Sequence, residues 1–383
     1  MKKTFKYRVY PTCAQSKKIE QTLGICRFLY NSALEERRNL YSAHKKSRSC
    51  YDQIKFLPEI KEAFPEFKDV HSQVLQSTLK RLDTAFQGFF RRVKSGIKPG
   101  YPRFRNKDRF NSFMYPQSGF RIEENKIFLS KIGHVKLVQH RKLFGVVKTC
   151  AIIRTCSGKY YVCITAEQDA LPKTTLSNIE SNTEIGLDLG IRTYITTSNG
   201  EKFENPKIFR KYAKCLALAQ AKRQRKPLGL RRDLRQQAKK HIARTYEKIT
   251  NARADYQHKL SHELVQKYSR IYMEDLNIRS MMENNYRSMN RSIADCSWNT
   301  LTGMIKYKAE EAGTTVIFVD PKNTSQMCSG CTEIVPKDLS DRIHICTKCG
   351  LRMCRDQNAA INILKRGRVG TDSPVVRPRS SRL

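Results

Sequence analysis

The stretch that most restricts this chain runs from Cys328 to Leu364 and carries two Cys-x-x-C pairs, Cys328 with Cys331 and Cys346 with Cys349, fourteen residues apart. A glycine lies beside the second thiol of each pair, Gly330 and Gly350, as a tight knuckle favours. Doubled pairs at this separation bring four thiolates together as a tetrahedral zinc site, closed to water and therefore structural. Two disulfides or four idle core cysteines suit the pattern far less well. Past the last of these thiols comes Arg355-Asp356-Gln357-Asn358-Ala359-Ala360, where an acid opens an apolar-periodic helix, Ala360 to Leu364. Taken alone, Asp356 reads as a cap for the free amides of that helix.

A chain of 383 residues has room for two or three domains, although 39% hydrophobic residues is low for this length. Charge says more: 73 Lys and Arg against 35 Asp and Glu leave a net +38. Such a field draws polyanions, nucleic acid first, with binding that weakens steeply as salt rises. No apolar run approaches the roughly eighteen residues of a membrane span. The N-terminal MKKTFKYRVYPT has basic residues but no apolar core behind them, so neither a signal peptide nor an anchor is expected. Thirteen cysteines, an odd number, fit a reducing cytoplasm.

Thr4 to Tyr10 alternates and stops at Pro11, the pattern of a strand. Ile19, Leu23, Cys26, Phe28, Leu29, Ala33 and Leu34 then recur at helical intervals. A second helix sets Leu75, Leu79, Leu82, Phe86, Phe89, Phe90 and Val93 against Lys80, Arg81, Arg91 and Arg92. Residues 12–95 are thus a helical region with one basic side, a description that an ordinary amphipathic bundle also meets. After the turn-rich joint Gly96 to Phe104, short β-rich runs (126–129, 134–138, 146–154 and 160–166) suggest a small barrel or sandwich that the N-terminal strand could join. Residues 168–183 are polar and uneven, and the linker is placed at 171–183.

Beyond it, Glu184 to Glu201 reads as two strands joined by a tight turn at Gly190. Asp188 lies inside the apolar first strand with no evident local cation, which points to a metal or a catalytic duty. A helical segment from Ile208 to Lys267, broken near Pro227 and Gly229, is too dense in Lys and Arg for a comfortable solvated face. The strand Ser269 to Leu276 ends on the acids Glu274 and Asp275, which alternation points to opposite sides. Residues 281–294 read as polar and flexible, followed by a helix at 298–312 and a strand at 315–319. Asp188, Glu274 and Asp356 therefore stand at separate element edges. Carboxylates converging in this way are what two magnesium ions need to straddle a scissile phosphate. Nor do the eight histidines cluster, and no Ser/His/Asp set is evident.

Seven motifs in one order, FKYRVYPT, KPGYPRF, IGLDLGIRTYIT, YMEDLNI, NTSQMCSGC, HICTKCG and RDQNAAINIL, resemble the TnpB proteins of bacterial and archaeal insertion sequences, the RNA-guided nucleases akin to type V CRISPR effectors. The resemblance implies an α+β multidomain chain. Its ribonuclease H-like (RuvC) α/β nuclease domain would occupy 184–321 and 351–364, interrupted by a zinc ribbon at 322–350. A helical recognition domain would span 12–96, a β-barrel wedge domain 1–11 with 97–170, and a disordered basic tail 365–383. By motif, Asp188, Glu274 and Asp356 are the catalytic magnesium ligands, and Cys328, Cys331, Cys346 and Cys349 the zinc ligands. The family's Asp-Arg-Asp reads Cys354-Arg355-Asp356 here, which keeps the matched acid but drops a neighbouring charge. A fifth sulfur from Cys354 is not expected at the zinc.

The function so implied is a transposable-element endonuclease that cuts double-stranded target DNA beside a short adjacent motif. Its guide would be an RNA from the element's own end, and its place a prokaryotic, nucleoid-associated cytoplasm. The alternatives are a nuclease-inactive RNA-guided repressor, a DNA-joining transposase, and a basic zinc-ribbon protein that leaves Asp188 unexplained.

Overall fold

The structure is a computed structural model and describes residues 2–168, 183–224, 232–283, 285–338 and 340–370. The chain divides into two compact units, Met1–Ala170 and Leu171–Leu383. Most of the expected linker and residues 371–383 lie outside the described residues, as does the expected helix break near Pro227 and Gly229.

In the first unit, β1 (Lys2–Tyr10) is followed by α1 (Cys13–His44), α2 (Cys50–Lys55), α3 (Leu57–Ala63) and α4 (Ser72–Lys94). The strands β2 (Ser112–Tyr115), β3 (Phe120–Glu123), β4 (Lys126–Leu129), β5 (Gly133–Val138), β6 (Val146–Arg154) and β7 (Tyr160–Glu167) complete it. Alternation along β1 buries Phe5, Tyr7 and Val9, and the strand does join the later ones, pairing antiparallel with both β5 and β7. The seven-stranded order is β2-β6-β7-β1-β5-β4-β3. Its edges meet where the Tyr115 ring of β2 packs 6.3 Å from Phe120 of β3 and the Tyr115 hydroxyl donates to Ser130 O at 3.0 Å, which nearly closes a barrel.

Pro11 ends β1, and a Thr12–Gln15 capping box starts α1 at once. Leu23, Cys26 and Leu34 of α1 share one core with Leu75, Leu79 and Leu82 of α4 and with Ile127, Ile152 and Val162 of the sheet. Helices and barrel are thus one packed body. Phe28, Phe90 and Val93, which periodicity assigns to the buried stripes, are instead exposed.

The second unit opens with β8 (Glu184–Leu189), β9 (Thr193–Thr197) and β10 (Lys202–Glu204). Then come α5 (Ile208–Gln224), α6 (Arg232–Lys267), β11 (Arg270–Glu274), α7 (Ile278–Glu283), α8 (Arg287–Cys296), α9 (Trp298–Ala312), β12 (Thr315–Val319), β13 (Ile343–Ile345), β14 (Arg352–Cys354) and α10 (Arg355–Gly370). The main sheet has the order β10-β9-β8-β11-β12, antiparallel as far as β8 and parallel from β8 to β12. Parallel neighbours need crossovers, and α5–α6 and α7–α9 supply them. Ile185, Leu187, Ile271 and Met273 point to one face, where Leu264, Trp298, Leu301 and Ile305 cover them. Tyr272 points to the other, where Ile363 of α10 packs.

Two expectations are corrected here. Residues 281–294 are mainly helical, in α7 and α8, because Ile293 and Cys296 are buried and Asp295 ties α8 to Arg253 and to the Phe209 amide. Apolar residues are few in this polar stretch, although those of α8 gather on one helix face. Likewise Lys365–Gly370 is helix, not tail. Arg366 donates to Asp320 O and Lys322 O, Arg368 pairs with Glu184, and Gly367 lies against the Tyr272 ring.

The approach of α10 to the sheet demands a glycine, since a Cβ on Gly186 would stand 2.1 Å from Ala360 O. Gly186→Ala is therefore expected to destabilise the second unit by about 1–3 kcal/mol or more. Gly24→Ala on α1, where a Cβ meets nothing within 4 Å, is expected to gain roughly 0.5–1 kcal/mol from helix propensity. Denaturant midpoints of the two variants check the contrast.

Candidate active site and metal centre

Strand parity decides which side chains can meet. Asp188 shares the parity of Gly186, and Glu274 that of Tyr272, so both lie on the face that α10 covers. In the parallel ladder Tyr272 pairs with Gly186 and Met273 with Leu187, so one step further Glu274 comes level with Asp188 at the ends of their strands. Asp356 sits in the first turn of α10. Asp275 turns outward and is exposed, whereas Glu274 is buried at 8% exposure.

Desolvation raises the Asp188 carboxyl well above the ordinary carboxylate range, and the charges of Glu274 and Asp356 push it further. The Arg355 charge and the Leu189 amide pull the other way without prevailing. Burial also raises Glu274, opposed by a hydrogen bond from Thr324 and by the Arg366 charge. Glu274 and Asp356 thus both disfavour ionisation of the Asp188 carboxyl, an arrangement whose chemistry suits a cation. The three acids are not drawn into one tight knot. Among the described residues, the only group of three or more His, Cys, Asp or Glu ligand atoms within 4.8 Å of one another is Cys328, Cys331, Cys346 and Cys349.

Those four cysteines form two equivalent knuckles. The Cys328 amide donates to Glu333 O at 2.8 Å and the Cys346 amide to Leu351 O at 3.0 Å. Cys328 O accepts from Thr332 and Cys346 O from Gly350, each at 2.9 Å. Across the knuckles Cys328 Sγ lies 3.6 Å from Cys349 Sγ, and Cys331 Sγ 3.5 Å from Cys346 Sγ. Four sulfurs tetrahedral about zinc at about 2.3 Å stand about 3.8 Å apart, whereas a disulfide needs about 2.0 Å. The spacing fits the ion. The Cys349 backbone amide, helped by that of Lys348, draws the Cys346 thiol down to about 6, whereas the neighbouring sulfurs raise the Cys349 thiol to about 12, so without an ion the four sulfurs share their protons unequally. Cys354 is not in this cluster: it is the last residue of β14, paired with Ile343 of β13, so the knuckle hairpin runs to Cys354 and directly into α10.

Sequence reasoning missed what holds these parts together. Asn358 Nδ2 donates to Met327 O at 2.7 Å, and Asn358 Oδ1 accepts from Ser329 N–H at 2.9 Å. Asn362 Nδ2 donates to Thr324 O at 2.9 Å and Met327 O at 2.6 Å, and Lys365 donates to Ser329 O. Their i, i+4, i+7 spacing was visible, but it resembles any polar helix stripe.

A family profile described as "Cas12f1-like, TNB domain" matches residues 298–363, one described as "Probable transposase" matches 162–285, and one described as "Helix-turn-helix domain" matches 1–46. In this chain the last stretch holds a strand and one unbroken helix, β1 and α1. The chain is 31% identical over 375 residues to "Putative RNA-guided DNA endonuclease" of Streptomyces pristinaespiralis, covering 96% of this chain and 90% of that protein. It is also 31% identical over 380 residues to "Putative RNA-guided DNA endonuclease InsQ" of Escherichia coli K12, covering 95% and 92%. Among solved structures it shares the fold of "Cryo-EM structure of the Cas12f1-sgRNA-target DNA complex", with TM-score 0.60, 13% identity, and coverage of 95% of this chain and 98% of that chain. Among the described residues, no helix is long and apolar enough to cross a membrane.

The strained acid has a measurable consequence. A carboxyl raised in the folded state stabilises fully below its unfolded value of 3.8, and that contribution is lost as pH rises through the folded value. Asp188→Asn carries no such loss. Without divalent cations it is expected to match the wild type in melting temperature near pH 4 and to exceed it increasingly toward pH 8. A gap that does not change with pH contradicts the placement of the acids.

Proposed function

Because the chain belongs to the TnpB family, we propose that it is an RNA-guided DNA endonuclease of a transposable element, cutting by metal-assisted phosphodiester hydrolysis in its second unit. The observation that carries this reading is the Asp188 carboxyl, held on the α10 face beside two further acids that raise it. The mixed sheet β10-β9-β8-β11-β12, with its acids at strand ends, supports a ribonuclease H-like (RuvC) fold for residues 184–321 and 351–364.

In that reading Asp188, Glu274 and Asp356 hold magnesium. The chemistry such ions would supply there is activation of a water as nucleophile and stabilisation of the leaving oxygen. The residues' own work is to hold Asp188 within electrostatic reach of Glu274 and Asp356 on the α10 face. Glu274 is oriented by Thr324, and Asp356 by its place at the head of α10. Two ions would divide the three carboxylates between them, so the acids need not meet at a single point. This suits the looser grouping of the acids.

Cys328, Cys331, Cys346 and Cys349 hold a structural zinc that leaves no position for water. The RNA and DNA that accompany the Cas12f1 neighbour, and the +38 charge here, support a guide RNA from the element's end and a double-stranded DNA target beside a short motif. The basic segment from Lys211 to Lys259 and the basic side of residues 12–96 are the proposed phosphate-facing surfaces. The nearly closed barrel is the proposed wedge.

RNA co-purified with the protein supplies the guide for a cleavage assay. Asp188→Ala and Glu274→Ala are expected to lower cutting at least 10²-fold in magnesium while leaving RNA-directed DNA binding near wild type. Undiminished cleavage by Asp188→Ala removes the assignment, and joined DNA products formed without RNA favour a transposase. Cys328→Ser is expected to lose bound zinc and the protease resistance of 322–370 before the first unit is affected.

A further inference from the structure

One buried hydroxyl has a place in neither the sheet's ladder nor the four-sulfur cluster. Thr324 is 2% exposed, lies between β12 and the first knuckle, and directs Oγ1 at Glu274 Oε1. Pro321 O, 3.0 Å away, is its second neighbour. A hydroxyl can serve Glu274 in either protonation state: it donates to the carboxylate, or accepts from the acid while giving its own proton to Pro321 O.

Its own position is imposed from α10. Asn362 Nδ2 donates to Thr324 O, and the same amide and that of Asn358 hold Met327 O. Arg366 fixes the backbone just upstream through Asp320 O and Lys322 O, and its charge reaches Glu274. Asn362 is 1% exposed and Asn358 0%, so neither amide has water to turn to. Removing the Asn362 amide leaves the Thr324 carbonyl without this buried partner, at a cost of about 1–3 kcal/mol.

We infer that Thr324 is the positioning residue of the nuclease centre. It fixes the Glu274 carboxylate in its metal-binding orientation, and α10 and the root of the ribbon fix Thr324 in turn. The inference rests on the proposed metal role of Glu274. It gives the ribbon root a task beyond holding zinc, because the segment that enters the first knuckle is also the wall behind a metal ligand. Hydroxyls and amides behind metal-bound carboxylates set ligand orientation, and their loss costs about 10–100-fold in metal affinity.

The test uses the full-length, zinc-loaded protein without nucleic acid, titrated with Mn²⁺ alone by calorimetry. Thr324→Val keeps the shape of the side chain but removes the hydroxyl, and is expected to weaken Mn²⁺ binding about 10–100-fold. Thr324→Ser keeps the hydroxyl and is expected to restore wild-type affinity. Zinc content and the far-UV helical signal are expected to be unchanged in both; if Thr324→Val loses either, Thr324→Ala takes its place. Wild-type affinity in the hydroxyl-free variant overturns the inference, as does Thr324→Ser binding as weakly as Thr324→Val. Asp188→Asn, measured alongside, separates the two readings. If it too binds Mn²⁺ normally, the acidic metal centre falls and the inference with it; if it alone loses binding, only the role of Thr324 falls.

Discussion

The second unit depends on how closely α10 lies against β8. A helix normally packs on a sheet across a layer of side chains, yet here Ala360 O would stand 2.1 Å from a Cβ at Gly186, so backbone meets backbone. Ala359, Ala360 and Ile363 are wholly buried. Small residues on both surfaces permit that approach. Its consequence is chemical, because Asp188 is two residues along β8 from Gly186 and Asp356 one turn along α10 from Ala360. The close contact is what brings an acid on a strand within the electrostatic reach of an acid on a helix.

Such proximity works against stability. Desolvation and neighbouring charge both raise Asp188, so its ionised form costs the fold, a cost that a bound cation would offset. The surrounding structure absorbs the strain in two ways. Neutral packing on the opposite face, from Trp298, Leu301 and Ile305 against Ile185 and Met273, depends on no charge at all. On the acidic face, backbone carbonyls of residues 320–329 are taken up by Asn358, Asn362, Lys365 and Arg366. Hydrogen bonds that involve none of the three acids thus hold the acidic face together.

Legibility followed from how local each signal was. The four-sulfur cluster was readable because two short knuckles carry their own geometry, and the strand placement of Asp188 and Glu274 because alternation fixes a face. The N-terminal strand was readable for the same reason. Phe28, Phe90 and Val93 misled because helical periodicity identifies a stripe without saying how far its neighbour reaches. β2 and β3, four residues each, were not read, although the equally short β4 was. α8 was hidden because its anchors, Ile293, Asp295 and Cys296, act through residues distant in sequence. The same holds for Lys365–Gly370, whose basic and glycine-bearing sequence suggested a tail until Arg366, Gly367 and Arg368 found partners at Lys322, Tyr272 and Glu184. Asn358, Asn362 and Thr324 are the deepest case. Their partners are backbone carbonyls or a distant acid, and no composition or spacing distinguishes them from ordinary polar residues.

The position of the ribbon in the chain follows from these contacts. The chain leaves the sheet after Val319 and is back at it with Arg355, and the root of the excursion is stitched across, Met327 to Asn358 and Thr324 to Asn362. Closing a loop costs entropy that grows only slowly with its length, so an excursion with paired ends burdens the sheet little. A metal that folds the excursion then acts on both ends at once. At one end it steadies the segment bearing Thr324, behind Glu274. At the other, β14 ends at Cys354 and α10 begins at Arg355, with no loop in which Asp356 could lose its orientation. The two ends of the ribbon thus stand beside two of the three acids, Thr324 at Glu274 and Arg355 next to Asp356.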